Sequence, residues 1–482
     1  MFGKKSNFIN GVWVEGEGEI ININPSDTND VIDTYSNASS KQLNDAVSAA
    51  QKAQKNWEKV GIEKRANILH DIGNELIKQS KEIGTLLSRE EGKTLPEGIG
   101  EVIRSGQQFQ YYAASALRQF GENIASTREG VSVEMTREPV GVCGIISPWN
   151  FPIAIAAWKS APAMAFGNAV VLKPASQTPA SAIALTKIIS DQKDIPDGLF
   201  NLVLGGGGTI GQQISGHKDI NAISFTGSVG VGQTIYMEAA KSMKKMQLEM
   251  GSKNPLVVMD DADLDIAVAC ATNGAYGGTG QKCTASSRLI VHEKVYKEFI
   301  EKLIENLKGL KVGHALEEGS QMGPVSSETQ LHSNLDYIEI GKKEAKLAYG
   351  GNPMNMRTPG HYMEPTLFID GNNKTTINQE EMFGPIACVI PVKSYEEGLE
   401  VANDTIFGLS SGIITQSLSK AADFKKNIKT GVTTVNLPTA GLDYHVPFGG
   451  RKASSFGPRE QGTYAHEFFT HVKTTYVSPG KI

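Results

Sequence analysis

Cysteine is scarce in this chain of 482 residues: Cys143, Cys270, Cys283 and Cys388 are widely spaced, with no Cys-x-x-Cys pair. That spacing argues against a disulfide framework or a thiolate metal centre, and it fits a reducing, cytoplasmic setting. A long basic block is missing and the net charge is -5. Neither nucleic acid nor an anionic membrane surface is therefore expected as the main partner. The N-terminal run Met-Phe-Gly-Lys-Lys-Ser-Asn-Phe-Ile-Asn lacks the apolar core of a signal peptide. Residues 151–172 are rich in Ala, Ile and Val, but Pro152 and Pro162 break the run and Lys159 and Asn168 sit inside it. A buried segment is expected there, not a membrane span. Internal repeats and low-complexity linkers are also missing, which excludes a solenoid or a tethered array.

What is present is an ordinary globular composition, 40% hydrophobic and 21% charged, in a chain long enough for roughly two or three domains. Residues 7–35 read as short strands and turns. Residues 40–120 read as helical, with amphipathic runs at Lys41–Trp57 and Lys64–Glu90. Residues 130–146 alternate like strands. Strands at 169–172, 200–204, 222–225 and 246–249 then alternate with helices at 181–190 and from 228 to about 245. That rhythm predicts a parallel, doubly wound sheet. A second α/β rhythm spans about 255–450, with helices at 262–273, 294–308 and 395–403 and a strand at 287–292. Residues 468–477 alternate like a last strand.

Two residues carry the chemistry. Cys283 follows the glycine-rich run 277–280, where backbone and substrate can come close to the sulfur. Glu249 closes an apolar strand 34 positions earlier, and a carboxylate within reach can take a proton from a thiol or a water. Together they point to covalent chemistry on a carbonyl. Asn150 lies in Ser-Pro-Trp-Asn-Phe-Pro, where two prolines stiffen the loop and a fixed amide can donate to an oxyanion. Taken alone, Cys283 reads rather as a buried core cysteine and Asn150 rather as a turn residue; the rest of the chain reverses that.

Two glycine turns compete for a cofactor phosphate. Residues 206–211 match Gly-x-Gly-x-x-Gly after a strand, but no acid follows at roughly 20 residues. Residues 227–232 also follow a strand and open a helix whose free amides, with the Ser228 hydroxyl, suit a pyrophosphate. Lys173 ends a strand, with Ser176 three residues on, a pair better suited to a phosphate than to a bare ribose diol. Glu381-Met-Phe-Gly-Pro can grip a ribose or simply turn the chain. His466 and His471 superficially suggest a zinc helix, but five residues turn a helix through about 140°, so the imidazoles diverge and no metal is expected.

With these pieces in order, the chain resembles the aldehyde dehydrogenase superfamily over essentially its whole length. The matching runs are Pro-Trp-Asn-Phe-Pro (148–152), Lys-Pro-Ala (173–175), Phe-Thr-Gly-Ser (225–228), Glu-Met-Gly-Ser-Lys-Asn-Pro (249–255), Gly-Gln-Lys-Cys-Thr-Ala (280–285), Glu-Met-Phe-Gly-Pro (381–385) and Pro-Phe-Gly-Gly (447–450). The resemblance implies an α/β fold with a doubly wound dinucleotide-binding domain (1–120 and 140–250), an α/β catalytic domain (251–450) and a small β oligomerisation arm (121–139 and 465–482). It implies a homodimer or homotetramer acting on a small-molecule aldehyde.

Carried over to this sequence, Cys283 would be the nucleophile, Asn150 with the Cys283 amide the oxyanion hole, and Glu249 the base for hydrolysis. Trp149, Lys173, Ser176, Gly227, Ser228, Glu381 and Phe383 would hold NADP or NAD, with the glycine turn at 205–211 only supporting the sheet. Phe151 and Phe448 would line the substrate tunnel. Two departures stand out. Ser176 replaces an acid that would repel a 2′-phosphate, so NADP is favoured. Ser252 replaces a second glycine and is expected to matter little. Residues 280–288 and 447–462 look most like members that oxidise 2-oxoglutarate semialdehyde (2,5-dioxopentanoate), with succinic and glutaric semialdehyde as alternatives. Arg104 would clamp the distal carboxylate, although by itself it reads equally as a surface ion pair. Arg288 and Arg459 are weaker candidates.

Overall fold

The computed structural model describes residues 3–118 and 121–480. Its first sheet has eight strands. Five are parallel: Val142–Ile146, Ala169–Lys173, Phe200–Leu202, Ala222–Thr226 and Lys245–Glu249. The first two are buried at every position, as a strand covered by helices on both faces must be. Across the sheet these five run in the order fifth, fourth, first, second, third. The order therefore reverses beside Val142–Ile146, and ligands of open α/β sheets bind at such a switch point, beyond the carboxyl ends of the strands. Asn7–Ile9 and Val12–Val14 extend one edge, and Ser455–Phe456 pairs antiparallel on the other.

Before this sheet the chain builds four helices. Ser40–Trp57 starts at a reciprocal cap: Gln42 N–H donates to the Ser39 hydroxyl and Ser39 N–H to the Gln42 side chain. The run expected at 64–90 is two helices, Ile62–Lys78 and Ser80–Glu91, broken at Gln79. The break has a packing cause. Both pieces cross the long helix Leu95–Ala116 at glycines. A Cβ on Gly73 would lie 2.6 Å from the Gly106 carbonyl oxygen, and one on Gly98 would lie 2.6 Å from that of Gly84. Two such close crossings at different places on one helix cannot be met by one straight partner.

The second sheet has seven strands, with Pro255–Val258, Arg288–His292, Ile386–Val392 and Ser410–Ile414 at its centre. All its pairs are parallel except Lys346–Tyr349 on Thr366–Ile369. Helix Leu264–Tyr276 starts where Asp263 accepts from the Asp265 and Ile266 amides, slightly later than expected. A three-stranded sheet joins Glu122–Ala125, Ser132–Pro139 and Thr470–Val477, while Phe468 and Phe469 pack into the core of the first sheet. Among the described residues no helix is long and apolar enough to cross a membrane. The stretch expected to be buried forms helix Ala154–Ala165, with Lys159 inside it fully buried.

Candidate active site

The ends of the five parallel strands present most of the residues singled out in the sequence. Lys173 is buried at its strand end, and its ammonium donates to the Pro174 carbonyl at 2.7 Å. Burial pulls it down to about 8. The Ser176 hydroxyl donates to the Gly205 carbonyl at 3.2 Å. The turn at 205–211 therefore does more than support the sheet: it faces Lys173 and Ser176. Gly207 and Gly208 are exposed, with open space where a side chain would stand. Ser228 is the N-cap of helix Val229–Ala240, yet its hydroxyl makes no capping hydrogen bond. A Cβ on Gly227 would meet the Phe225 ring at 2.5 Å.

Across the crevice, Trp149 and Phe383 meet edge to face at 5.3 Å between ring centroids. Glu381 is turned onto the Ser252 amide at 2.7 Å, and burial pushes its carboxyl up to about 7. An uncapped helix start, an open glycine turn, a ring pair and a carboxylate at one switch point fit a dinucleotide. His466 and His471 lie in different elements, helix Ala465–Phe469 and strand Thr470–Val477.

Beside the crevice is a cavity of about 480 Å³ lined by Cys283, Asn150, Arg104, Phe151, Trp158 and Phe448, among others. The loop before Cys283 is tightly coiled, with Gly278, Thr279 and Gly280 all at positive φ. Gly280 is obligatory there, because a Cβ would lie 2.2 Å from the Gly384 carbonyl oxygen. That contact docks the cysteine loop on the Glu381–Pro385 turn. Cys283 is half-buried, whereas Cys143, Cys270 and Cys388 are buried. Burial first, then the charges of Glu249, Glu381 and Glu460, push the Cys283 thiol up to about 12.

Asn150 donates from Nδ2 to the Gln281 carbonyl at 3.0 Å, which leaves its second N–H uncommitted. Its own carbonyl accepts from Lys93 at 2.6 Å. Lys93 is paired with Glu101 at 2.7 Å, and Glu101 also accepts from the Ile153 and Ala154 amides at 3.0 and 3.1 Å. A buried ion pair thus braces the Asn150 loop against the helix that follows it.

The arginines separate cleanly. Arg104 faces the cavity with its guanidinium 5.5 Å from the Tyr444 ring centroid, and it makes no ion pair among the described residues. Arg288 is wholly buried and spends its guanidinium on Lys253, Asn373, Val401 and Ala402. Four of its five N–H donors are spent and it does not line the cavity, so that candidacy fails. Arg459 turns to the Gly450 carbonyl.

Ser252 departs from expectation. Its hydroxyl donates to the Cys283 carbonyl, a bond glycine cannot make, and Asn254 donates to that carbonyl as well at 2.8 Å. Three further residues escaped sequence reasoning. Ser455 donates to Glu249 at 2.5 Å. Lys159 forms a buried ion pair with Glu460, and both groups act on Glu249. A lysine inside an apolar run was the signal for Lys159; Ser455 and Glu460 left none.

A dinucleotide crevice opening beside a cavity that holds a half-buried cysteine is an arrangement that suits a nicotinamide-dependent oxidoreductase. Residues 13–475 match the aldehyde dehydrogenase family, and the chain belongs to it, as an enzyme that oxidises an aldehyde to an acid. It is 42% identical over 480 residues to the alpha-ketoglutaric semialdehyde dehydrogenase of Bacillus subtilis, covering 98% of each chain. It is 40% identical over 484 residues to the alpha-ketoglutarate semialdehyde dehydrogenase of Haloferax volcanii, covering 99% of this chain and 100% of the other. Among solved structures, the betaine aldehyde dehydrogenase of Staphylococcus aureus in complex with NAD+ superposes with a TM-score of 0.96. It is 31% identical, and the match covers 99% of this chain and 96% of that one.

Proposed function

We propose that this enzyme oxidises 2,5-dioxopentanoate to 2-oxoglutarate, with Cys283 as nucleophile and NADP preferred over NAD. The observation that carries the substrate is Arg104: a partly desolvated guanidinium facing the cavity, with Asp443 acting on it only at longer range and no ion pair among the described residues. A substrate with a carboxylate at its far end completes that pair. The Bacillus and Haloferax relatives, named for the same semialdehyde, support the choice. Phe151, Trp158 and Phe448 give the cavity an aromatic wall, which suits the short methylene chain. Succinic and glutaric semialdehyde share the carboxylate and differ in length or in the oxo group.

The geometry supports the following roles. The Cys283 thiolate attacks the aldehyde carbon, and the free Asn150 N–H with the Cys283 amide receives the developing oxyanion. A bound nicotinamide dinucleotide supplies the hydride acceptor. Cys283 is left as a thioester, and Glu249 takes a proton from the water that attacks it. Lys173, Ser176 and the open turn at 206–208 suit a 2′-phosphate, which favours NADP. Ser228 with the helix start at Val229 suits the pyrophosphate, Glu381 the second ribose, and Trp149 and Phe383 flank the nicotinamide end. Residues 1–120 with 140–250 form the dinucleotide domain and 251–450 the catalytic domain. The three-stranded sheet, with Val472, Tyr476 and Ile124 exposed on it, serves as the oligomerisation arm of a homodimer or homotetramer. A solution mass of one chain would contradict that assembly. Four unpaired cysteines suit the reducing cytoplasm.

The test of the mechanism is a rapid-mixing trace of cofactor reduction. Glu249→Gln should give a burst close to one reduced cofactor per active site and then turn over about a hundredfold or more slowly. Cys283→Ala should give neither phase. A Glu249→Gln enzyme with wild-type steady turnover removes Glu249 from the role of base.

A further inference from the structure

Glu249 does not line the cavity that holds Cys283. Its carboxylate lies against the loop 447–460, and two contacts fix it there. Ser455 stands directly opposite Glu249 in the antiparallel pair at the sheet edge, so register delivers its hydroxyl to the carboxylate. The Ser455 Oγ lies 2.5 Å from Glu249 Oε2. That hydroxyl already accepts the Gly450 amide at 2.6 Å, so its single proton is directed to Glu249. The other oxygen leans on Gly449, where φ is 146° and a Cβ would stand 2.7 Å from Oε1. The Glu249 main chain is held as well, its carbonyl accepting from Gly227 at 3.0 Å. Only the side-chain torsions are left to move.

We propose that Ser455 is a positioning residue for hydrolysis: its hydroxyl orients the Glu249 carboxylate that takes the proton from the hydrolytic water. The inference rests on the reading of Glu249 as base. In the step it serves, the carboxylate takes one proton from water as the water oxygen bonds the thioester carbon. The carbon–sulfur bond breaks, its electron pair leaves with Cys283 as thiolate, and the acid departs.

The surroundings make the Ser455 hydrogen bond consequential. Burial and the charge of Glu460 push the Glu249 carboxyl well above its ordinary range, while Ser455, then Lys159 and Arg459, oppose that push. These groups come from the loop 447–460 and helix Ala154–Ala165, and Cys283 faces the same carboxylate from its own loop. Removing the hydroxyl withdraws the largest opposing contribution.

The test is acid release in a single turnover, followed across pH by quenched flow, with the burst of reduced cofactor recorded in the same mixes. Ser455→Ala should move the acid limb of hydrolysis up by roughly one pH unit, about a tenfold loss below it. Ser455→Thr, which keeps the hydroxyl, should return the limb to the wild-type position. A merely structural role would lower amplitude or stability and leave the limb in place. A Ser455→Ala profile superimposed on wild type overturns the proposal, provided Glu249→Gln abolishes the limb; the base reading then stands without Ser455. If Glu249→Gln keeps the wild-type limb, the base reading falls and the Ser455 proposal with it.

Discussion

At the scale of single residues, the site is built from side chains whose ordinary titration is displaced by burial. Cys283 is the extreme case. With its thiol held near 12 by burial and three carboxylates, the thiolate fraction in the cofactor-free enzyme should rise about tenfold per pH unit from about pH 7 to pH 9. The rate of iodoacetamide labelling at Cys283 should follow that slope; a plateau near pH 8 would contradict it. The residues that announce their chemistry in short motifs, Cys283, Asn150, Glu249, Lys173 and Glu381, were legible before any fold was known. Ser455 and Glu460 were not. Ser455 meets Glu249 across 206 residues of sequence, and Glu460 meets Lys159 across 301. Only strand register and loop docking bring such groups together, and neither is encoded in a local pattern. Ser252 was seen and undervalued, because sequence shows the loss of a glycine but not the carbonyl waiting 31 positions away.

At the scale of elements, the long helix Leu95–Ala116 organises the cavity. It carries Glu101, which braces the Asn150 loop, and one turn later Arg104, which faces the substrate space. Glu101 and Lys93 are both buried, and removing one partner of such a pair leaves the other charged and unmatched. Glu101→Ala should therefore lower the unfolding free energy by about 3 kcal/mol and reduce kcat through the loosened Asn150 loop. Denaturant titration beside steady-state rates checks both, and a variant as stable as wild type would refute the bracing. The amphipathic helices were legible because their apolar period is strong. The strands at 346–349, 366–369, 386–392, 410–414 and 432–435 were not individually resolved in the sequence. Ser410–Ile414 is buried throughout and Ile386–Val392 at every position but Pro391, so their apolar runs lack the alternation that separates strand from core helix. The break at Gln79 depends on two glycine crossings with a helix that follows it, which no local signal records.

At the scale of the whole molecule, two α/β units face one another so that a crevice for a dinucleotide and a cavity for an aldehyde share the Cys283 loop. The Gly280 contact with Gly384 ties that loop to the turn carrying Glu381, so Cys283 and Glu381 are held in one packed unit. In the proposed reading this shared site oxidises 2,5-dioxopentanoate with NADP and holds the substrate's far carboxylate with Arg104. Initial rates of cofactor reduction test it most directly, using 2,5-dioxopentanoate, succinic semialdehyde and an uncharged aldehyde of similar length, each with NADP and with NAD, in wild type and Arg104→Ala. The account predicts the highest kcat/KM for 2,5-dioxopentanoate with NADP. It also predicts a loss of about tenfold or more in Arg104→Ala for the two acids, and little change for the uncharged aldehyde. Equal kcat/KM for charged and uncharged aldehydes, or an Arg104→Ala enzyme indistinguishable from wild type, would contradict it.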